Sequence, residues 1–274
     1  MKRYTYSSIA LFLLAFIVQS CFQDMEHPGF NYPEDIPEEQ NSPLKLNFAF
    51  EDNINNSSIY DFGITAAGTP SFVEGINGKA YQGGFDRYIL AETPEKLKNE
   101  ISELSGFTVA FWMKSAKCTN ATGIFGISHT KQFWGNLDIY LESYSDNDTQ
   151  AFFKVHLRNG DLETTAEIRI EEVFINDWVH LVFKYDDKSS KLTVYKNAEE
   201  VYSSTPGIIS GKLKFTDVGK LVIGTLQFQT VPSLTEGASA QGWAAHYAGM
   251  LDQFHFYDEA LKKPEIRNLY LNKE

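Results

Sequence analysis

Hydrophobic residues recur at every second position through several separate stretches of the chain. Leu44, Leu46, Phe48 and Phe50 alternate with Lys45, Asn47 and Ala49. Phe107, Val109, Phe111 and Met113 alternate with Thr108, Ala110, Trp112 and Lys114. Val179, Leu181, Phe183 and Tyr185 do the same against Trp178, His180, Val182 and Lys184. A period of two puts one set of side chains on each face of a strand, so these stretches predict half-buried strands. Turn-forming clusters separate them: Asn159-Gly160-Asp161, Asp186 to Ser190, Pro206-Gly207 and Ser210-Gly211. Short strands joined by such turns predict an all-β, two-sheet antiparallel β-sandwich of the jellyroll kind. Two short helices interrupt it. In the first, Thr93 is placed to cap, Pro94 suits the first turn, and Leu97, Ile101 and Leu104 form an apolar stripe ended by Gly106. The second starts near Pro264 and would bury Ile266, Leu269 and Tyr270.

The first residues follow another pattern. Met1-Lys2-Arg3 is basic, and the apolar stretch Ile9 to Val18 comes next. That stretch is too short for a bilayer-spanning helix, which needs about 20 residues, so residues 1–20 read as a secretory signal. The run Val18-Gln19-Ser20-Cys21 resembles the lipobox of bacterial lipoproteins, which implies cleavage before Cys21 and lipidation of its thiol. Residues 21–43 carry Asp24, Glu26, Glu34, Asp35, Glu38 and Glu39 with Pro28, Pro33, Pro37 and Pro43, and no Lys or Arg. Such a segment has little to bury and predicts an extended tether. Its acidic start, Phe22 to Glu26, resembles the signal that sends some Gram-negative lipoproteins to the exterior face of the outer membrane.

Composition narrows the remaining part, residues 44–274, which at about 230 residues is ample for one sandwich domain. The net charge of -12 disfavours nucleic acid and anionic membrane surfaces as partners. Cys118 is the one cysteine left after Cys21, which excludes an intramolecular disulfide in the mature domain.

Several motifs carry a family resemblance. Gly75 to Gly84 (GINGKAYQGG) is similar to the opening of laminin-G-like jellyroll domains of the concanavalin A-like lectin/glucanase superfamily. Phe107 to Lys114 (FTVAFWMK) resembles their FTxxxW strand. Trp178 to Asp186 with Lys191 to Asn197 resembles their central hairpin, with Asn197-Ala198 where Asn-Gly is usual. Leu221 to Gly224 and Gly249 to Leu261 resemble the closing strands. The resemblance implies a domain that binds glycans or other surface ligands, often with calcium, and is usually not an enzyme. Family alone does not fix function, so the site has to come from the residues.

The superfamily's glucanases place three acidic residues on one strand face. The nearest segment here is Asn136-Leu-Asp138-Ile-Tyr140-Leu-Glu142, whose odd and even positions face opposite ways. Asn136 stands where the nucleophile would be. Asp138 and Glu142 lie four positions apart, roughly 13 Å between Cα atoms on a strand. Retaining glycosidases need carboxyls about 5–5.5 Å apart and inverting ones about 6.5–9.5 Å. Asp138, Tyr140 and Glu142 therefore read as a sugar-contacting or solvated face, with a divergent glycoside hydrolase as the lesser alternative. No zinc spacing, nucleophile elbow or phosphate loop accompanies them.

Aromatic platforms beside polar groups are the usual means of holding a sugar. Trp134 and Trp243 fall in predicted loops, Trp243 near His246, whereas Trp112 and Trp178 match core positions of the family. By alternation Asp252 shares a strand face with Met250, Phe254 and Phe256, where a carboxylate needs a partner. By the resemblance it would help hold a structural calcium, with ligands near Glu51 and Gly83; capping of backbone amides or pairing with Arg87 is the alternative. The expected function is a lipid-anchored, non-catalytic carbohydrate-binding protein whose partner is a glycan or surface polysaccharide. A protein-binding adhesion or assembly module is the second reading.

Overall fold

The computed structural model describes residues 42–273, so Cys21, the signal segment and the acidic tether lie outside the described residues. Eighteen strands follow in chain order. They begin with β1 (Leu44–Phe48), β2 (Gly63–Ala67), β3 (Phe72–Glu74), β4 (Lys79–Gln82), β5 (Tyr88–Glu92) and β6 (Glu103–Leu104). The middle set is β7 (Gly106–Lys114), β8 (Ala121–His129), β9 (Leu137–Glu142), β10 (Ala151–Asn159), β11 (Leu162–Ile170) and β12 (Val179–Asp186). The last are β13 (Lys191–Lys196), β14 (Glu199–Ser204), β15 (Leu213–Lys214), β16 (Val218–Ile223), β17 (Ala244–Ala245) and β18 (Met250–Tyr257). Helix α1 is Glu95–Ile101 and helix α2 is Lys263–Leu271.

Sixteen of them make two 8-stranded sheets, the predicted sandwich, and β6 and β15 pair as a separate two-stranded sheet. Sheet A runs β14-β13-β12-β7-β18-β4-β3, with β1 also on β18; sheet B runs β11-β10-β9-β8-β16-β5-β2, with β17 on β8. The core between them is dense in aromatic rings. Phe111 stacks on Phe183 and Phe254 at 6.1 and 5.5 Å, and Phe125 meets Phe254 and Phe256 at 5.6 and 5.4 Å.

The sheets differ in what covers their outer faces. In β7 the alternate residues Thr108, Ala110 and Trp112, which the period of two assigns to the polar side, are as buried as Phe107, Val109 and Phe111. The reason is α2, whose Ile266 and Leu269 pack with Ala110, Val182 and Tyr195. Its Tyr270 stacks on Trp112 at 5.5 Å. No helix covers the corresponding face of sheet B among the described residues.

Three local expectations are corrected. Helix α1 has Pro94 at its N-cap and no side-chain cap, and the Thr93 hydroxyl is buried without a partner. Leu104 is not part of that helix but of β6, paired with β15. Lys45, on the polar side of β1 by pattern, is fully buried, its ammonium bound by Glu100 at 2.7 Å and Asp258 at 3.0 Å. The Asn197-Ala198 turn takes φ of 51° and 66°, the left-handed values a two-residue hairpin needs, with Ala198 in the place glycine fills best.

Candidate functional site

The uncovered outer face of sheet B is built by register. β9 and β10 pair Asp138 with His156, Tyr140 with Lys154 and Glu142 with Phe152. β10 and β11 continue each row, His156 to Thr165, Lys154 to Glu167 and Phe152 to Arg169. Leu137, Ile139, Leu141, Phe153 and Val155 point the other way into the core. On β8, Gly123 lies opposite Tyr140 and Gly126 opposite Asp138, so this part of the face has no side chains of its own. The carbonyl of Thr225 fills the space above Gly123, where a Cβ would stand 2.3 Å from it.

Onto this floor folds an aromatic layer. Trp134 stacks on Tyr140 at 5.2 Å and lies 5.5 Å from His156. Phe133 stacks on Phe228 at 4.2 Å, and Trp243 closes the group at 5.4 Å from Phe228 and 6.1 Å from Trp134. Trp243 remains 46% exposed. Two glutamines on the 3-10 turn Gln227–Gln229 hold the loops that carry these rings. Gln227 accepts the His129 amide at 2.8 Å and donates to the carbonyls of Gln132 and Phe133 at 2.6 and 3.0 Å. Gln229 donates to the Ala244 carbonyl at 2.9 Å and accepts the Gln241 amide. Buried amide groups with partners of this kind are costly to disturb, so the segment from Gln227 to Tyr247 is a fixed wall.

The predicted ligand-binding residues separate into three places. Trp134, Trp243, Tyr140 and Asp138 come together, but Asp138 and Tyr140 lie beneath Trp134 at 1% and 4% exposure. Their expected direct contact with a sugar is corrected on that ground: they support the platform, and a ligand meets the tryptophans. Asp138 accepts the Gly135 amide at 2.7 Å, anchoring the residue after Trp134. Burial raises its pKa to about 7, against the opposing pull of that amide and of Arg158. The neighbouring His156 is pushed down to about 4, mainly by burial and also by Arg158. Glu142 sits further along the strand at the surface, 3.3 Å from the Lys154 ammonium. Beyond it the Arg169 guanidinium lies 3.9 Å from the centre of the Phe152 ring, near the exposed Tyr144. His246 is elsewhere, stacked on Tyr88 at 5.2 Å on the far side of β17.

Asn136, at the glucanase nucleophile position, is committed to backbone. Its side chain donates to the Thr216 carbonyl at 2.9 Å and accepts the Thr216 amide at 3.0 Å. The only acids on this strand's face are thus a buried Asp138 and a Glu142 tied to lysine.

The expected calcium ligands divide as well. A β-bulge at Gln253, with φ of 44°, shifts the register of β18 between Asp252 and His255. One inserted residue reverses the faces on either side of it. Asp252 therefore lies on the outer face opposite Trp112, and Phe254 and Phe256 go to the core, which corrects the face assigned by alternation. Its oxygens accept the amides of Ile76 and Gln253, both at 2.8 Å. Glu51 accepts the Lys79 amide at 3.1 Å, so both carboxylates converge on the turn from Ile76 to Lys79. Gly83 contacts Tyr247 and Gly249 instead. Calcium takes six to eight oxygens; here the carboxylates receive amide protons, and no group of three acidic, His or Cys side chains assembles among the described residues. The two carboxylates thus cap backbone amides of one turn. Burial raises the Asp252 pKa to about 6, and the Glu51 charge adds to the rise.

Phe133, Phe228, Gln227 and Gln229 escaped the sequence reading. They have no periodicity to mark them, and their roles depend on a loop returning across another sheet's strands.

A family model described as the concanavalin A-like lectin/glucanases superfamily (Laminin_G_3) matches residues 83–267. No curated protein sequence matches the chain. Among solved structures, a botulinum neurotoxin type C structure concerned with cell entry through two ganglioside molecules aligns with a TM-score of 0.61 at 13% identity. That alignment covers 84% of this chain and 51% of the other. The binding domain of botulinum neurotoxin DC, in complex with rat synaptotagmin II, aligns at TM-score 0.59 and 12% identity, covering 85% and 52%. The binding domain of Paraclostridial Mosquitocidal Protein 1 gives 0.59 and 14%, covering 83% and 51%. The chain thus spans about half the length of each of these, and the likeness is one of fold.

Proposed function

The chain belongs to the concanavalin A-like lectin/glucanases superfamily, and from that premise we propose that it is a non-catalytic glycan-binding module acting through the outer face of sheet B. The observation that carries this reading is the contrast between the two outer faces. The middle of sheet A is covered by α2, while sheet B presents a stacked aromatic layer ending in the half-exposed Trp243. A rigid indole beside hydrogen-bonding and charged side chains is the arrangement that receives the apolar face of a sugar ring. Lys154 pairs with Glu142 and Glu167, and Arg169 with Asp146, so no free cation stands along these strands among the described residues, which suits an uncharged polysaccharide better than an acidic one. Of the like-folded toxin structures, one concerns cell entry that depends on two ganglioside molecules and another is a complex with the protein synaptotagmin II, so either a glycan or a protein partner is compatible with the likeness. The aromatic face of this chain favours the glycan.

The address completes the proposal. The signal-like residues 1–20, the lipobox-like Cys21 and the acidic, proline-rich segment to Pro43 support export, lipid anchoring to the outer membrane and display on a tether. Two or more acyl chains give stable anchoring where one does not.

Glycan-array binding of wild type against Trp243→Ala tests the site. At matched concentration the array signal is expected to fall about tenfold or more, the loss of one good stacking contact. An undiminished signal overturns it. A wild type that binds no glycan but retains a protein partner selects the adhesion reading.

A further inference from the structure

A second concavity lies on the other side of β17 from the tryptophans. It is a cleft of about 240 Å³ bounded by Phe85, the segment from Ser115 to Asn120, and Ala245 to Gly249. Its floor is preformed. Gly83 approaches Tyr247 so closely that a Cβ there would stand 2.0 Å from the Tyr247 carbonyl oxygen. The Gly83 amide donates to Gly249 at 2.9 Å, and the Gln82 side chain donates to the Ala248 carbonyl at 2.7 Å. The opposite wall is pinned too. The Cys118 thiol donates to the Glu142 carbonyl at 3.2 Å, and Lys117 reaches the Asn147 carbonyl at 3.2 Å and Asp148 at 3.3 Å. At the mouth, Phe85 is 88% exposed on a tight turn closed by the Arg87 amide to the Gly84 carbonyl at 3.1 Å.

The lining sorts possible ligands by chemistry. It has no carboxylate, and its one cation, Lys117, is already taken by Asp148. Ser115, Thr119, Asn120 and Thr122 offer short neutral hydroxyl and amide groups, and burial lowers the pKa of the His246 imidazole, against the opposing charge of Asp86. The Cys118 thiol is raised to about 11, again by burial, so it acts as a small wall group and no nucleophile. An exposed ring at the rim, neutral donors and acceptors within, and a volume below the roughly 300–1,000 Å³ of drug-sized sites together fit one small polyhydroxylated ring.

We propose that this cleft is a second sugar subsite, taking a single neutral hexose unit with Phe85 as its stacking face and His246 and Asn120 as polar contacts. The Ala121 amide bonds to the Trp243 carbonyl at 3.0 Å, so the wall of the cleft is continuous with the strand that carries the main platform. The class of ligand rests on the glycan-binding reading; the position rests on the cleft itself.

The test is aromatic-labelled NMR of the full chain titrated separately with glucose, galactose, mannose and N-acetylglucosamine at millimolar concentration, with N-acetylneuraminic acid as the acidic comparison. At least one neutral sugar is expected to shift the Phe85 and His246 ring resonances. Phe85→Ala, at a position too exposed to endanger folding, should weaken that response about tenfold, and Trp243→Ala should leave it intact. Silence of both rings to every neutral sugar overturns the proposal, as does a response indifferent to Phe85→Ala or a preference for the acidic sugar. A sugar that moves only Trp243 removes the cleft and leaves the sheet B face standing. A sugar that moves only the cleft rings supports the subsite and counts against the face.

Discussion

Asp138 shows how a residue conspicuous in sequence can act at one remove from the surface. Its carboxyl lies under Trp134 and holds the Gly135 amide. Its pKa of about 7 in the fold stands above the ordinary value of 3.8. A carboxyl raised in this way contributes no penalty below pH 4, where both folded and unfolded chains are protonated. The penalty grows as pH rises from about 4 through 7, because the unfolded chain ionises freely and the folded one resists. Its full size is roughly 4 kcal/mol by linkage, at order of magnitude. Asp138→Asn keeps an oxygen for the Gly135 amide and removes the buried charge. Its melting temperature should exceed that of wild type by roughly 5 °C or more at pH 8, and by little or nothing at pH 4. An equal gain at both values, or none at pH 8, would show that desolvation of Asp138 is not what the site bears.

At the scale of elements, the informative feature is the turn from Ile76 to Lys79, where two carboxylates from distant strands meet backbone amides. If the turn is held by capping alone, calcium and a chelator leave the wild-type melting temperature unchanged. Asp252→Ala then costs about 1–3 kcal/mol, the usual loss when buried donors are left unpaired. Calorimetry with and without calcium decides it: a calcium-dependent rise in wild type that Asp252→Ala abolishes would install the ion instead. The same strand shows where sequence reading stops. The alternation that locates β18 is plain, yet the bulge at Gln253 that reverses its faces has no signature in alternating residues. β7 and β12 were equally plain as strands. Their outer rows read as solvent-facing because the helix that buries them lies well beyond them in the chain. Lys45 looks like a surface lysine until Glu100 and Asp258 arrive from elsewhere to bind it. Trp134 and Trp243 were legible as loop aromatics. Their meeting was not, since it depends on Gln227 and Gln229 folding one loop against another.

For the whole molecule, the two faces of the sandwich have been given different work. One is covered across its middle by α2; the other carries rings and charged rows outward. A lipid at Cys21 and a stretch of acidic, proline-rich chain would hold that open face away from a membrane. Cys21→Ala should therefore move the protein from the membrane fraction to the soluble one while leaving glycan binding intact; unchanged fractionation would contradict the anchor. The central claim, that Trp243 and its layer receive the glycan, is tested most directly on the four indole N–H resonances. In a titration with the strongest glycan from the array, the Trp243 and Trp134 signals should shift together, while Trp112, beneath α2, and Trp178 stay in place. A bound glycan that leaves Trp243 unmoved would contradict the account.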